Sequence, residues 1–218
     1  MFQWTERFQP QQEWITISII FVFILSVYLY KLNKHQFKFL FSFWESKSYY
    51  KIYYREKIGK PINLFNLILT LISLITFSLL GYFFYQKIFL SFLGEISFLS
   101  LFSVLSVLII FRYGILKVIF QLLNQLELFN QTVFKSISYY GIISLYTVFF
   151  FSIYNFRYNT YSELLFIISI LILCAVFLSH LWVYLRIIRT NPQSLVYLIL
   201  YLCAFKMAPW LWLYKSIY

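Results

Sequence analysis

The sequence predicts an all-α fold: a polytopic membrane helix bundle of six transmembrane helices, with amphipathic helices at the cytoplasmic interface. Three observations carry this expectation. Of 218 residues, 62% are hydrophobic and only 11% are charged, against about 25% charged in an ordinary soluble domain, and the mean hydropathy is +0.78. The apolar residues gather into six runs near the roughly 20 residues that a bilayer requires. The lysines and arginines gather on one side of those runs. This composition excludes a soluble globular protein, a disordered chain and a disulfide scaffold, and residues 1–218 read as one integral membrane domain.

The first run, Trp14 to Tyr30, follows a start without a basic segment, and no small-residue cleavage site comes after it. It is expected to be a retained helix and not a signal peptide. The loop Lys31 to Pro61 comes next. In it Lys34 and Lys38 share a helical face, as do Lys47, Lys51 and Arg55, while Phe37, Leu40, Phe41 and Trp44 form an apolar stripe at helical spacing. Pro61 then opens the second span, as proline does at a first helical position.

The remaining spans are expected at Ile62 to Tyr85, Ile88 to Phe111, Ile137 to Tyr154, Leu164 to Leu185 and Leu195 to Tyr214. Between the third and fourth lies Gly114 to Phe134, which could be a seventh span. It carries Lys117, Gln121, Asn124, Gln125, Glu127, Asn130 and Gln131, and a single central charge costs about 2.5–3.5 kcal/mol on insertion. Its polar residues fall near one face, which predicts a helix lying in the interface.

Charge sets the orientation. With the N-terminus outside, the inner loops hold eight basic residues from Lys31 to Lys60, three from Arg112 to Lys135, and Arg186 and Arg189. The outer segments hold Arg7, Lys87, Arg157 and Lys215. The positive-inside rule therefore predicts both termini outside, in a cytoplasmic (inner) membrane. Trp210, Trp212 and Tyr214 would form an outer aromatic belt, with Trp4 and Trp14 as counterparts.

Ionisable residues at membrane depth are the first functional suspects. Lys206 lies inside the last run, three residues before the helix-bending Pro209, and Glu95 lies inside the third. Their expected depths match, so they could pair; alternatively Glu95 sits among headgroups while Lys206 snorkels outward. His180, near the inner end of the fifth run, reads more readily as a packing residue than as a proton relay. Serines at 97, 100, 103 and 106, with Thr70, Ser73 and Thr76, read as small polar residues at helix interfaces. Cys174 and Cys203 lie in apolar stretches and behave as small hydrophobes.

Catalytic signatures are absent from the sequence. All seven acids are glutamates, so no Ser-His-Asp triad can form, and there is no CxxC, HExxH, GxSxG or phosphate-cradling glycine loop. No catalytic residue, metal or cofactor is expected, and the protein is not expected to be an enzyme. The 27 Phe and 20 Tyr fit AT-rich coding and are discounted as a signal.

The chain resembles a family of inner-membrane proteins of Bacteroidota known as domain of unknown function 4271. Three stretches carry the likeness: EWITISIIFVFILSVYLYKLNKHQFKFLFSFWESKSYYKIYYREK at the start, FNQTVFKSISYYGIISLY entering the fourth span, and LYLCAFKMAPWLWLYK at the close. Their order and spacing cover nearly the whole chain. The resemblance implies a six-helix inner-membrane protein of a diderm bacterium and supplies no activity. The family often carries an acid where this chain has Lys206, so a proton-carrying carboxylate is not implied there.

The function expected from these residues is a non-enzymatic membrane subunit or scaffold. Its basic cytoplasmic surface (Lys34, Lys38, Trp44, Lys47, Lys51 and Arg55, with the segment Lys117 to Lys135) would bind a partner protein or anionic headgroups of membrane lipid, and no nucleic acid. The alternative is a small transporter or channel using Glu95, Lys206 and His180. Against the latter, the chain has no evident internal repeat and few glycine or proline breaks.

Overall fold

The computed structural model describes residues 13–41, 63–88, 97–122, 124–157 and 162–190. Every regular element among them is helical: α1 Glu13–Leu32, α2 Lys34–Phe41, α3 Leu64–Ile88, α4 Phe98–Leu122, α5 Leu126–Arg157 and α6 Ser162–Thr190. Four of these (α1, α3, α4 and α5) are long and apolar enough to cross a membrane, and α6 contains a shorter apolar stretch, Glu163–Ser179. The expected sixth span, Leu195 to Tyr214, lies outside the described residues. The chain divides into two compact units after Ala175. The first holds the bundle and the start of α6; what is described of the second is the remainder of α6, to Thr190.

Helix α1 is apolar all round, as a membrane helix is and a half-buried soluble helix is not. It buries Ile15, Ile19, Val22 and Leu29 on a heptad-like stripe and exposes Ile17, Ile20, Phe21, Ile24 and Val27. Helix α3 lies at the centre of the first unit, packed against α1, α4 and, most extensively, α5. Its two buried faces carry Phe65, Leu69, Ile72, Ser73, Thr76, Leu79 and Leu80.

The α3–α5 contact is close because the facing residues are small. Gly141 of α5 lies directly under the side chain of Leu69, so that a Cβ there would overlap it. One turn on, the buried hydroxyls of Ser73 and Ser144 meet at 3.2 Å. Phe83 then closes on Phe151 at 4.9 Å between ring centres. Without a hydrophobic force between helices in lipid, such small-residue approach and interhelical hydroxyl contact hold the pair together. At the far end of α1, Trp14 packs edge-on against Tyr82 and tilts against Phe98, joining α1, α3 and α4. Phe84 stacks on Phe166 at the start of α6.

Two boundaries differ from expectation. The third span runs as Phe98–Leu122 and not Ile88 to Phe111, so α4 passes Arg112 without stopping. The expected interfacial helix between Gly114 and Phe134 does not form as one piece. It breaks at Asn124, which takes φ 54°, and its halves prolong α4 and α5. Asn124 N–H donates to the Gln121 carbonyl (3.0 Å) and Gln125 N–H to that of Phe120 (2.9 Å), the double closure that ends a helix on a left-handed residue. Asparagine is among the few residues that accept that conformation readily.

Candidate functional site

The basic face begins at Asn33, between α1 and α2. Asn33 caps α2: its Oδ1 accepts the Gln36 N–H at 3.0 Å, and its Nδ2 donates back to Gln36 Oε1 at 3.4 Å. The pair marks the start of α2, one residue after α1 ends. The apolar side of α2 is then used against the protein itself. Leu40 and Gln36 are buried, Phe37 meets Tyr30 edge-on at 5.8 Å, and Phe41 meets Tyr146 edge-on at 5.7 Å. Lys31, Lys34, His35 and Lys38 are all left exposed, with the Lys34 Nζ 5.8 Å from the centre of the Tyr30 ring. Thus Lys34 and Lys38 come together on one outward cationic face. Trp44, Lys47, Lys51 and Arg55 lie outside the described residues.

The intramembrane suspects are not assembled among the described residues. His180 belongs to α6, while Glu95 and Lys206 lie outside the described residues. The described residues hold no cluster of three or more metal-ligating side chains. The serines of α4 do not bridge helices in any contact described: Ser97 caps the helix through the Ser100 N–H (3.2 Å), and Ser103 and Ser106 donate to the carbonyls of Leu99 and Phe102. Of the second-span hydroxyls, Ser73 makes the cross-helix contact with Ser144, and Thr70 and Thr76 donate to their own helix.

A polar contact that sequence reasoning passed over lies between α4 and α5. Arg112 Nη1 donates to the Tyr140 hydroxyl at 3.3 Å, and Tyr140 in turn rests edge-on against Phe77 of α3 at 6.0 Å. Arg112 had marked the start of a loop because a charge ends a hydropathy run. The signal against that reading was the return of apolar residues from Ile115 to Phe120, broken only by Lys117. An almost wholly apolar groove of ≈ 320 Å³ runs along α3, lined by Leu67, Leu71 and Leu74, with Asn66 and Thr70 as its polar residues, Phe102 of α4 and Ile137 of α5.

The family model described as a domain of unknown function, DUF4271, matches residues 14–217. No curated protein and no solved structure matches the chain.

Proposed function

The chain belongs to the DUF4271 family, and we propose that it is a non-enzymatic integral subunit or scaffold of a bacterial inner membrane, holding a partner protein or lipid through a basic cytoplasmic face. In this reading six helices cross the membrane, α6 and the run Leu195 to Tyr214 supplying the last two, with both termini periplasmic. The observation that carries it is the docking of α2. Because Gln36 and Leu40 are buried and Phe37 and Phe41 engage Tyr30 and Tyr146, the helix is held with Lys34 and Lys38 outward. A cationic surface held in advance costs less ordering on binding than a free basic loop. Each basic residue near an anionic surface adds about 1 kcal/mol.

The test is recovery of the tagged protein from membranes, with mass spectrometry of companions present at equal amount. A variant carrying Lys34→Gln, Lys38→Gln, Lys47→Gln, Lys51→Gln and Arg55→Gln keeps the buried side of α2. It is expected to lose the protein companion or the bound anionic lipid. A companion retained by that variant at the wild-type amount places the binding surface elsewhere.

A further inference from the structure

We propose that Lys34 and Lys38, beside the ring of Tyr30, seat one anionic phospholipid, its headgroup phosphate lying between the two ammonium groups at the membrane surface. Resting on the basic face proposed above, the site takes lipid and not protein as its occupant. Three observations carry it.

The first is depth. Helix α1 is long and apolar enough to cross a membrane. The side chains it exposes from Ile17 to Val27 are all apolar, and then come Tyr28 and Tyr30, 50% and 42% exposed, and an exposed Lys31. Tyrosine followed by lysine at the end of an apolar helix marks a membrane–water interface. The Lys34 Nζ stands 5.8 Å from the centre of the Tyr30 ring, so this cation shares the depth of the headgroups.

The second is the chemistry of the face. Lys34, His35 and Lys38 are exposed on α2, and no acidic residue occurs between Glu13 and Glu45. One turn apart, Lys34 and Lys38 have Cβ atoms about 6 Å from each other, a spacing from which two ammonium groups can meet the oxygens of one phosphodiester. Lysine is depleted at protein–protein interfaces, whereas basic residues beside a membrane helix attract anionic headgroups. The face therefore suits lipid better than a protein partner.

The third is that the helix is fixed. An amphipathic helix that binds a membrane by insertion buries its apolar side at the boundary of headgroups and acyl chains. In α2 that side is already occupied: Gln36 and Leu40 are buried, and Phe41 meets Tyr146 of α5. The two cations are thus presented by a helix that the protein itself holds. Such a helix retains a lipid at one place, where a free amphipathic helix adsorbs to any anionic surface.

The experiment uses the full chain, purified without companions in detergent and exchanged into mixed micelles of dioleoylphosphatidylglycerol and dioleoylphosphatidylcholine, with bound lipid counted by native mass spectrometry. The wild type is expected to retain the anionic lipid over the zwitterionic one by about twentyfold, since each of the two lysines contributes about fivefold at an anionic surface. Lys34→Gln and Lys38→Gln should each lower the preference about fivefold. Together they should bring it close to unity with the melting temperature unchanged. Lys34→Arg with Lys38→Arg, which keeps both charges, should retain it. Wild type without a preference, or the paired glutamine variant with its preference intact, would overturn the proposal. A protein companion that stays with the glutamine pair while the lipid preference is lost supports the lipid seat and places the companion elsewhere. A companion released by that pair while the preference persists overturns the lipid seat and leaves the face as a protein-binding surface.

Discussion

Gly141 sits under Leu69 so closely that no side chain fits between α5 and α3 at that point. This contact sets the separation of the two helices that share the largest interface of the first unit. Replacing Gly141 with alanine forces the pair apart, and overpacking of this kind costs about 1–3 kcal/mol. Gly141→Ala is therefore expected to lower the melting temperature of the purified protein. Adding Leu69→Ala should recover part of the loss by vacating the overlapped space. An alanine variant as stable as wild type would show that the helices do not approach this closely.

The cap at Asn33 is a second point where one residue has a large local effect. Asn33→Ala removes the acceptor for the Gln36 N–H and the donor to Gln36 Oε1, a loss of about 1 kcal/mol for a helix cap. Hydrogen exchange across α2 should accelerate while α3 and α5 stay protected. Exchange unchanged at Gln36 and Phe37 would mean that packing alone holds α2.

Asn124 offers the cleanest contrast. With φ at 54°, glycine should be tolerated there at no loss of stability. A β-branched residue should cost about 1–2 kcal/mol, the strain of a left-handed L-residue. Thermal melts of Asn124→Gly and Asn124→Val in the same detergent measure the difference. Equal melts would be incompatible with the left-handed turn.

Orientation can be read with thiols. In a background of Cys174→Ser and Cys203→Ser, Lys38→Cys should react with an impermeant maleimide only in inverted membrane vesicles, since the basic loops are expected inside. Glu13→Cys should react only from the opposite face. Labelling of Lys38→Cys in right-side-out vesicles would reverse the assignment.

The residues show why some of this was readable from the chain and some was not. The first two spans were foreseen as Trp14 to Tyr30 and Ile62 to Tyr85, and the helices run Glu13–Leu32 and Leu64–Ile88. An apolar run of bilayer length is a local property, and lipid leaves the backbone no choice but to satisfy itself within the helix. The third span was misplaced because a hydropathy run stops at Arg112. The helix runs on through Arg112, whose Nη1 meets the hydroxyl of Tyr140, 28 residues later. Nothing near Arg112 in sequence announces that partner.

The basic loop divides in the same way. The stripe Phe37, Leu40 and Phe41 was legible as one apolar face of a helix, and Lys34 and Lys38 as the opposite one. Periodicity says that a face must be covered but not by what. Phe37 meets Tyr30 and Phe41 meets Tyr146, and the second of these partners lies more than a hundred residues away.

That the described helices are apolar and, in four cases, of bilayer length follows from composition and order, because transfer free energy is summed along the chain. Which small residues touch, where α4 and α5 part, which ring covers α2 and what holds Arg112 depend on residues brought together from distant parts of the sequence. Those choices are made by packing, whose forces fall off within an atomic diameter and so exist only once the helices have met.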